Sequence, residues 1–220
     1  MAIALWLFVI MVSGSMPVIT IKNTTLAPDS IYASIITQLS MLLISLILLL
    51  IFTKGKISQY GFTWNPHFPW IKVIVISLFF GALSAATGFL LNVTDSEVMN
   101  SFSFPELVII VWILASFSEE VLHRGLIQSY LSPLKERGLF IRNHFLSLPV
   151  IVGAMLFGLM HLGILSIGAD IKYVFIIVLF AILLGLIAGY QREKTGSLLP
   201  AYIVHACFNI GNYLFGTFLM

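Results

Sequence analysis

Seven apolar runs, each close to the length of a membrane-spanning helix, constrain this chain more than any other feature. A hydrocarbon core about 30 Å thick is crossed by about 20 residues of helix. The sequence therefore predicts an all-α fold, a polytopic transmembrane helix bundle of about seven spans. The runs are approximately 2–19, 31–53, 71–93, 106–131, 146–164, 171–190 and 198–219.

Composition supports the same class of protein. Of the 220 residues, 60% are hydrophobic and 9% are charged, and the mean hydropathy is +1.07. These values exclude an ordinary soluble domain and predict that the lipid bilayer is a partner of the protein. The net charge of +2 gives no reason to expect nucleic acid, and the single cysteine, Cys207, excludes an intrachain disulfide.

Basic residues predict the orientation of the bundle. Most of them fall in or beside the second, fourth and sixth loops, and the positive-inside rule places such loops in the cytoplasm. The amino terminus and the even-numbered loops are therefore expected inside, and the carboxyl terminus outside. The first run has no basic segment before it, which favours an uncleaved span over a signal peptide. The basic residues concerned are Lys54, Lys56, Lys72, Lys135, Arg137, Arg142, Arg192 and Lys194.

Ionisable residues inside the fourth run point to chemistry. Glu119, Glu120 and Arg124 would each cost about 2.5–3.5 kcal/mol to insert, so they are expected to pair, hydrate or react. Residues four apart share a helix face, so Glu120 faces Arg124, and Glu119 is rotated from it by about 100°. One carboxylate can therefore pair with Arg124 while the other stays free, although neighbouring glutamates could exchange these roles. This spacing predicts divided roles for the two carboxylates.

Two later runs carry further polar residues. His161 lies in the fifth run, one turn after Phe157, and His205 shares a helix face with Asn209 in the last run. Depth along each helix suggests that these side chains and Glu119 meet in one buried cavity.

Such a set of groups suits the cleavage of an amide bond by water. A carboxylate accepts a proton from water, a histidine orients that water or protonates the leaving amine, and a His/Asn pair binds the oxyanion. Alternatively, Glu119, His161 and His205 could hold a zinc-like divalent metal, because two imidazoles and a carboxylate form an open three-ligand site. Residue types alone leave the cofactor open between none and a divalent metal.

Three motifs resemble those of the CPBP intramembrane proteases, the family of CAAX proteases and bacteriocin-processing or self-immunity proteins. They are Glu119-Glu120-x-x-x-Arg124, Phe157-x-x-x-His161 and His205-x-x-x-Asn209, in this order. The resemblance covers roughly residues 106–212. It implies one membrane domain, 1–220, in which 1–105 are accessory spans and 106–212 form the catalytic core.

Residue roles follow from the resemblance. It implies that Glu119 is the general base, that His161 is its partner on the water, and that His205 and Asn209 bind the oxyanion. Glu120 and Arg124 would be a supporting charge pair, and Phe157 would pack below His161. The expected activity is an intramembrane endopeptidase acting on a membrane-associated peptide or protein, such as a CAAX substrate or a bacteriocin or signal-peptide leader.

Other interpretations compete with a protease. The charges could form a structural pair, the histidines could be ordinary core residues, and Asn209 could serve only helix packing. A di-iron bundle needs two Glu-x-x-His motifs, and the sequence contains only one. An ion carrier is disfavoured because the polar residues lie wholly in the second half. A non-enzymatic immunity or interaction protein would keep the same motifs.

Cysteine labelling tests the predicted orientation. Single cysteines at Lys54, Arg137 and Lys194, in a background without Cys207, should react with a membrane-impermeant thiol reagent only from the cytoplasmic side. Labelling of these three sites in intact cells, without permeabilisation, would reverse the assigned topology.

Overall fold

A computed structural model describes residues 1–22, 31–65, 68–93 and 102–219. The architecture is a bundle of long helices with a single small hairpin in the described part, which confirms the predicted all-α membrane fold. Six helices are continuous: α1 Ala2–Lys22, α2 Ile31–Thr53, α3 Trp70–Leu90, α5 Leu148–Met160, α6 Ile171–Thr195 and α7 Leu198–Leu219. Between α3 and α5 lies a composite helix, α4, formed by Phe104–Glu106, Leu107–Ala115, Ser116–Glu120 and Val121–Gln128.

The geometry of α4 departs from the regular α-helix expected for the fourth run. Leu107–Ala115 and Val121–Gln128 are π-helical, and only the short segment Ser116–Glu120 between them is α-helical. The hydroxyl of Ser116 donates to the carbonyl of Val111, five residues earlier, at 3.0 Å. Since π-helical turns are rare and concentrate at functional sites, their position on both sides of the glutamate pair is informative.

Several helices begin where the sequence supplies a capping residue. Ser103 starts α4 with a capping box closed by the Glu106 carboxylate, and the Ser147 hydroxyl starts α5 by accepting from the Val150 amide. Asp170 caps α6, which ends at Gly196 in the left-handed conformation at φ 71°. These local signals fix the limits of the site-bearing helices.

Five helical stretches are long and apolar enough to cross a membrane: Ala2–Ile21, Ile31–Thr53, Trp70–Leu90, Leu148–Ser166 and Ile171–Thr195. The stretch Leu148–Ser166 extends into the 3₁₀ turn His161–Ile167 that follows α5. The protein is therefore an integral, multi-pass membrane protein. The remaining two predicted spans, 106–131 and 198–219, are the ones that carry the glutamates and His205.

Close helix packing brings α7 towards the centre of the bundle. A Cβ atom on Gly81 of α3 would overlap the Phe208 carbonyl of α7, and one on Gly211 would overlap the Leu78 carbonyl. Small residues let membrane helices approach until their backbones touch. This contact between α3 and α7 sets the position of the helix that carries His205.

The second, fourth and sixth loops share one end of the bundle. Thr63 donates to the Gly196 carbonyl at 3.0 Å, Asn65 donates to the Thr195 carbonyl at 3.1 Å, and Ser147 donates to Glu193 at 2.6 Å. The loops rich in basic residues therefore face the same side of the membrane. That this side is cytoplasmic stays a prediction.

A β-hairpin in the fourth loop was not predicted. Strand β1, Gly138–Ile141, pairs antiparallel with β2, His144–Ser147. The two-residue turn places Arg142 at φ 52°, in the left-handed region that hairpin turns require. This hairpin has a weak signal in the sequence, because neither turn residue is glycine.

Candidate active site

A fully buried ion pair lies at the centre of the site. Arg124 Nη1 donates to Glu120 Oε1 at 2.8 Å, and both residues have no solvent exposure. The same carboxylate oxygen accepts a hydrogen bond from His205 Nδ1 at 3.0 Å. The guanidinium carbon lies 4.6 Å from the centre of the Phe157 ring, a cation–π distance. Glu120 thus joins the arginine of α4 to the histidine of α7.

The charged groups of this cluster are only partly paired. Glu119 and Glu120 bring two negative charges against the single positive charge of Arg124. Glu120 Oε2 and two guanidinium nitrogens of Arg124, Nε and Nη2, have no hydrogen-bond partner among the described residues. Since uncompensated buried charge is costly, the hydrogen bond from His205 to Glu120 stabilises the cluster.

Glu119 takes a different position from its neighbour. Its side chain lines a cavity and is 8% exposed. Its Oε2 lies 3.9 Å from His205 Nε2, so the two groups face each other without a direct hydrogen bond. One carboxylate therefore faces the cavity while the other is held by Arg124.

His161 presents one ring nitrogen to the same cavity. It lies at the carboxyl end of α5, and its Nδ1 lies 2.9 Å from the Phe157 carbonyl. A carbonyl only accepts, so Nδ1 carries the proton and donates. In the neutral ring, Nε2 is then an acceptor, and the His161 side chain lines the cavity.

Asn209 is tethered by one hydrogen bond and otherwise faces the cavity. Its Nδ2 donates to the Ser116 hydroxyl of α4 at 3.1 Å. An amide NH₂ has two hydrogens, so the second one is available to a ligand. Asn209 lies one turn after His205 on α7, and both line the cavity.

Phe157 organises the histidines. Its ring is fully buried and meets three imidazoles edge-on, those of His123, His161 and His205, at centroid distances of 5.0, 5.1 and 5.3 Å. Such T-shaped contacts fix ring orientation. The predicted packing role of Phe157 below His161 thus extends to two further rings.

Sequence reasoning missed two contributions from the first half of the chain. Trp6 of α1 donates from Nε1 to His123 Nε2 at 3.0 Å, and His123 Nδ1 lies 2.8 Å from the Glu119 carbonyl. Gln38 of α2 donates from Nε2 to Glu119 Oε1 at 3.2 Å and accepts from Ser118. A polar Gln38 inside an apolar run was a detectable signal, whereas Trp6 in a hydrophobic helix was not.

The cavity that joins these groups has a volume of about 710 Å³. It extends from Glu119 past Asn212 to Leu219 at the end of α7, and Phe180 and Phe208 contribute to its walls. This volume lies within the range of pockets for small ligands and is enough for a few residues of extended peptide. The lining combines apolar walls with convergent polar groups at one end.

A metal site receives no support from the arrangement. Within the described ranges, no group of three or more His, Cys, Asp or Glu side chains is placed to hold one ion. The predicted ligand set of Glu119, His161 and His205 therefore does not fit a metal as the side chains stand. Metal dependence stays a prediction for experiment.

A carboxylate, two imidazoles and an amide thus line one cavity of this membrane helix bundle. Residues 101–211 match the family described as type II CAAX prenyl endopeptidase Rce1-like. The match covers half of the chain, and the protein belongs to this family. It is accordingly an intramembrane endopeptidase of the general CAAX type. Neither a curated protein nor a solved structure matches the chain significantly.

Replacing Trp6 tests whether α1 supports the site. Trp6→Phe keeps an aromatic ring but leaves His123 Nε2 without its donor, and an unsatisfied buried polar group costs about 1–3 kcal/mol. The melting temperature of the purified protein should fall. Trp64→Phe is the control, because Trp64 is 71% exposed. Equal melting temperatures for the two variants would contradict a structural role of the Trp6 bond.

Proposed function

We propose that the protein hydrolyses a peptide bond of a membrane-associated peptide or protein with a water activated by Glu119. The observation that carries this proposal is that Glu119, His161, His205 and Asn209 line one cavity, with Glu119 Oε2 3.9 Å from His205 Nε2. A carboxylate that lines a cavity beside two imidazoles suits general-base catalysis. The substrate is of the CAAX type or a related leader peptide, held at the bilayer.

In the first step Glu119 and His161 act on the water. The water donates one hydrogen to the Glu119 carboxylate and the other to His161 Nε2, which leaves an oxygen lone pair directed at the scissile carbonyl. As the new carbon–oxygen bond forms, one proton moves to Glu119. His161 keeps its orientation because its Nδ1–H is held by the Phe157 carbonyl.

The developing oxyanion is bound from α7. A protonated His205 donates from Nε2, while its Nδ1 is held by Glu120 at 3.0 Å. Asn209 donates with the amide hydrogen that Ser116 does not use. Donors that are already oriented stabilise the negative charge without reorganisation.

Collapse of the tetrahedral intermediate completes the reaction. The carbon–nitrogen bond breaks, and Glu119 returns its proton to the leaving amine. Glu120 and Arg124 do not touch the substrate in this scheme. They keep the positive charge of His205 in place through the ion pair at 2.8 Å.

Replacing the proposed base tests the function directly. Glu119→Gln should lower kcat for cleavage of a prenylated CAAX peptide in proteoliposomes by about 10²-fold to 10⁴-fold, the usual contribution of a general base. The control is Glu136→Gln, because the Glu136 side chain is 88% exposed in the fourth loop.

The same two variants can be compared in cells of the organism that produces the protein. Peptides that accumulate with Glu119→Gln but not with Glu136→Gln identify the natural substrate. Wild-type turnover by Glu119→Gln would refute the assigned base. A cellular phenotype retained by the cleavage-dead variant would instead assign that phenotype to binding.

Metal removal tests the remaining alternative for activation of the water. In the proposed scheme a chelator-treated protein with negligible bound metal, measured by elemental analysis, retains full activity. Loss of activity that is restored by one equivalent of a divalent metal would replace the glutamate scheme with a metal-dependent one. Variant Glu119→Gln would then also lose metal, which separates the two schemes.

A further inference from the structure

The amide of Gln38 is fixed at both ends on the catalytic segment of α4. Its Nε2 donates to Glu119 Oε1 at 3.2 Å, and its Oε1 accepts a short hydrogen bond from the Ser118 hydroxyl. Glu119 and Ser118 are neighbours in sequence, so the amide bridges two adjacent side chains. Gln38 itself belongs to α2, outside the residues that match the family.

This bridge fixes the direction in which the amide donates. An ionised carboxylate only accepts, so the NH₂ end of the Gln38 amide faces Glu119. The oxygen end then faces the Ser118 hydroxyl, which also lies 3.0 Å from the Ala115 carbonyl. A hydrogen bond to a charged acceptor is stronger than one between neutral groups.

The bond also fixes the orientation of the Glu119 carboxylate plane. With one oxygen, Oε1, held by Gln38, the other oxygen, Oε2, points to His205 Nε2 across 3.9 Å. Turning the carboxylate plane away from this orientation would break the Gln38 bond. Gln38 lines the cavity next to Glu119, so it acts where a carboxylate would otherwise be free to turn.

We propose that Gln38 is a positioning residue that holds Glu119 Oε2 towards the attacking water. The catalytic unit therefore includes α2, although the motif-bearing helices alone carry the reacting groups. This inference rests on the proposed role of Glu119 as the base. It goes beyond it by assigning part of the site to the first half of the chain.

Kinetic constants distinguish positioning from a structural role. Gln38→Met is nearly isosteric and removes both hydrogen bonds. It should lower kcat about tenfold to 100-fold, as expected when a catalytic group is misplaced, and leave KM within about twofold. Gln38→Glu keeps the acceptor for Ser118 but places a second carboxylate against Glu119, so its loss of kcat should be at least as large.

Thr37→Val is the matched control on the same helix. Its hydroxyl donates only to the Ala33 carbonyl of α2, at 2.9 Å, so kcat and KM should both stay at wild-type values. Ser118→Ala removes one of the two bonds that hold Gln38 and should give an intermediate loss of kcat. Wild-type kcat in both Gln38→Met and Ser118→Ala would overturn the proposal.

A double-mutant cycle gives a readout that does not need catalysis. Melting temperatures of Gln38→Met, Glu119→Gln and the double variant should be non-additive, because the two side chains are in direct contact. Thr37→Val combined with Glu119→Gln should be additive. Additive melting-temperature changes for Gln38→Met and Glu119→Gln would refute the contact. Non-additive changes in a protein that cleaves no peptide would support the contact and refute only the proposed function.

Discussion

The buried charge of Arg124 is the constraint on which the rest of the site depends. A guanidinium with no solvent exposure inside a membrane bundle is stable only when its charge is compensated. Glu120 supplies that charge at 2.8 Å, and the Phe157 ring covers the guanidinium face at 4.6 Å. Glu120, paired with Arg124, also accepts a hydrogen bond from His205, and this bond links the fourth helix to the last one.

The two glutamates have different surroundings because Glu120 is paired with Arg124. Glu120 is buried, accepts from both Arg124 and His205, and has no route to the cavity. Glu119 is left to line the cavity, where its second oxygen faces His205 across 3.9 Å. Neighbouring side chains of the same chemical type thus receive different environments, one fully buried and one lining a cavity. Such a difference is how paired carboxylates come to serve different roles.

Support for the site comes from helices that carry none of the three motifs. Trp6 fixes the hydrogen bonds of His123, which in turn contacts the Glu119 carbonyl, and Gln38 contacts the Glu119 carboxylate. The sequence offered no motif in residues 1–105, because single polar or aromatic residues in apolar helices have many uses. Their function becomes visible only when α1 and α2 are placed against α4. The prediction that 1–105 are merely accessory is therefore one to test through these residues.

By itself the sequence determined the class of protein and the inventory of reactive groups. Apolar run lengths predict helices across a bilayer, and the three spaced motifs contain the polar residues that line the cavity. Helical periodicity also pairs Glu120 with Arg124, because that contact is local along the chain. Tertiary structure alone decided the rest: the π-helical turns beside the glutamates, the closeness of α3 and α7 at Gly81, and the contacts of Gln38 and Trp6. These depend on how separate helices rotate and approach each other, and no periodicity within one helix encodes that.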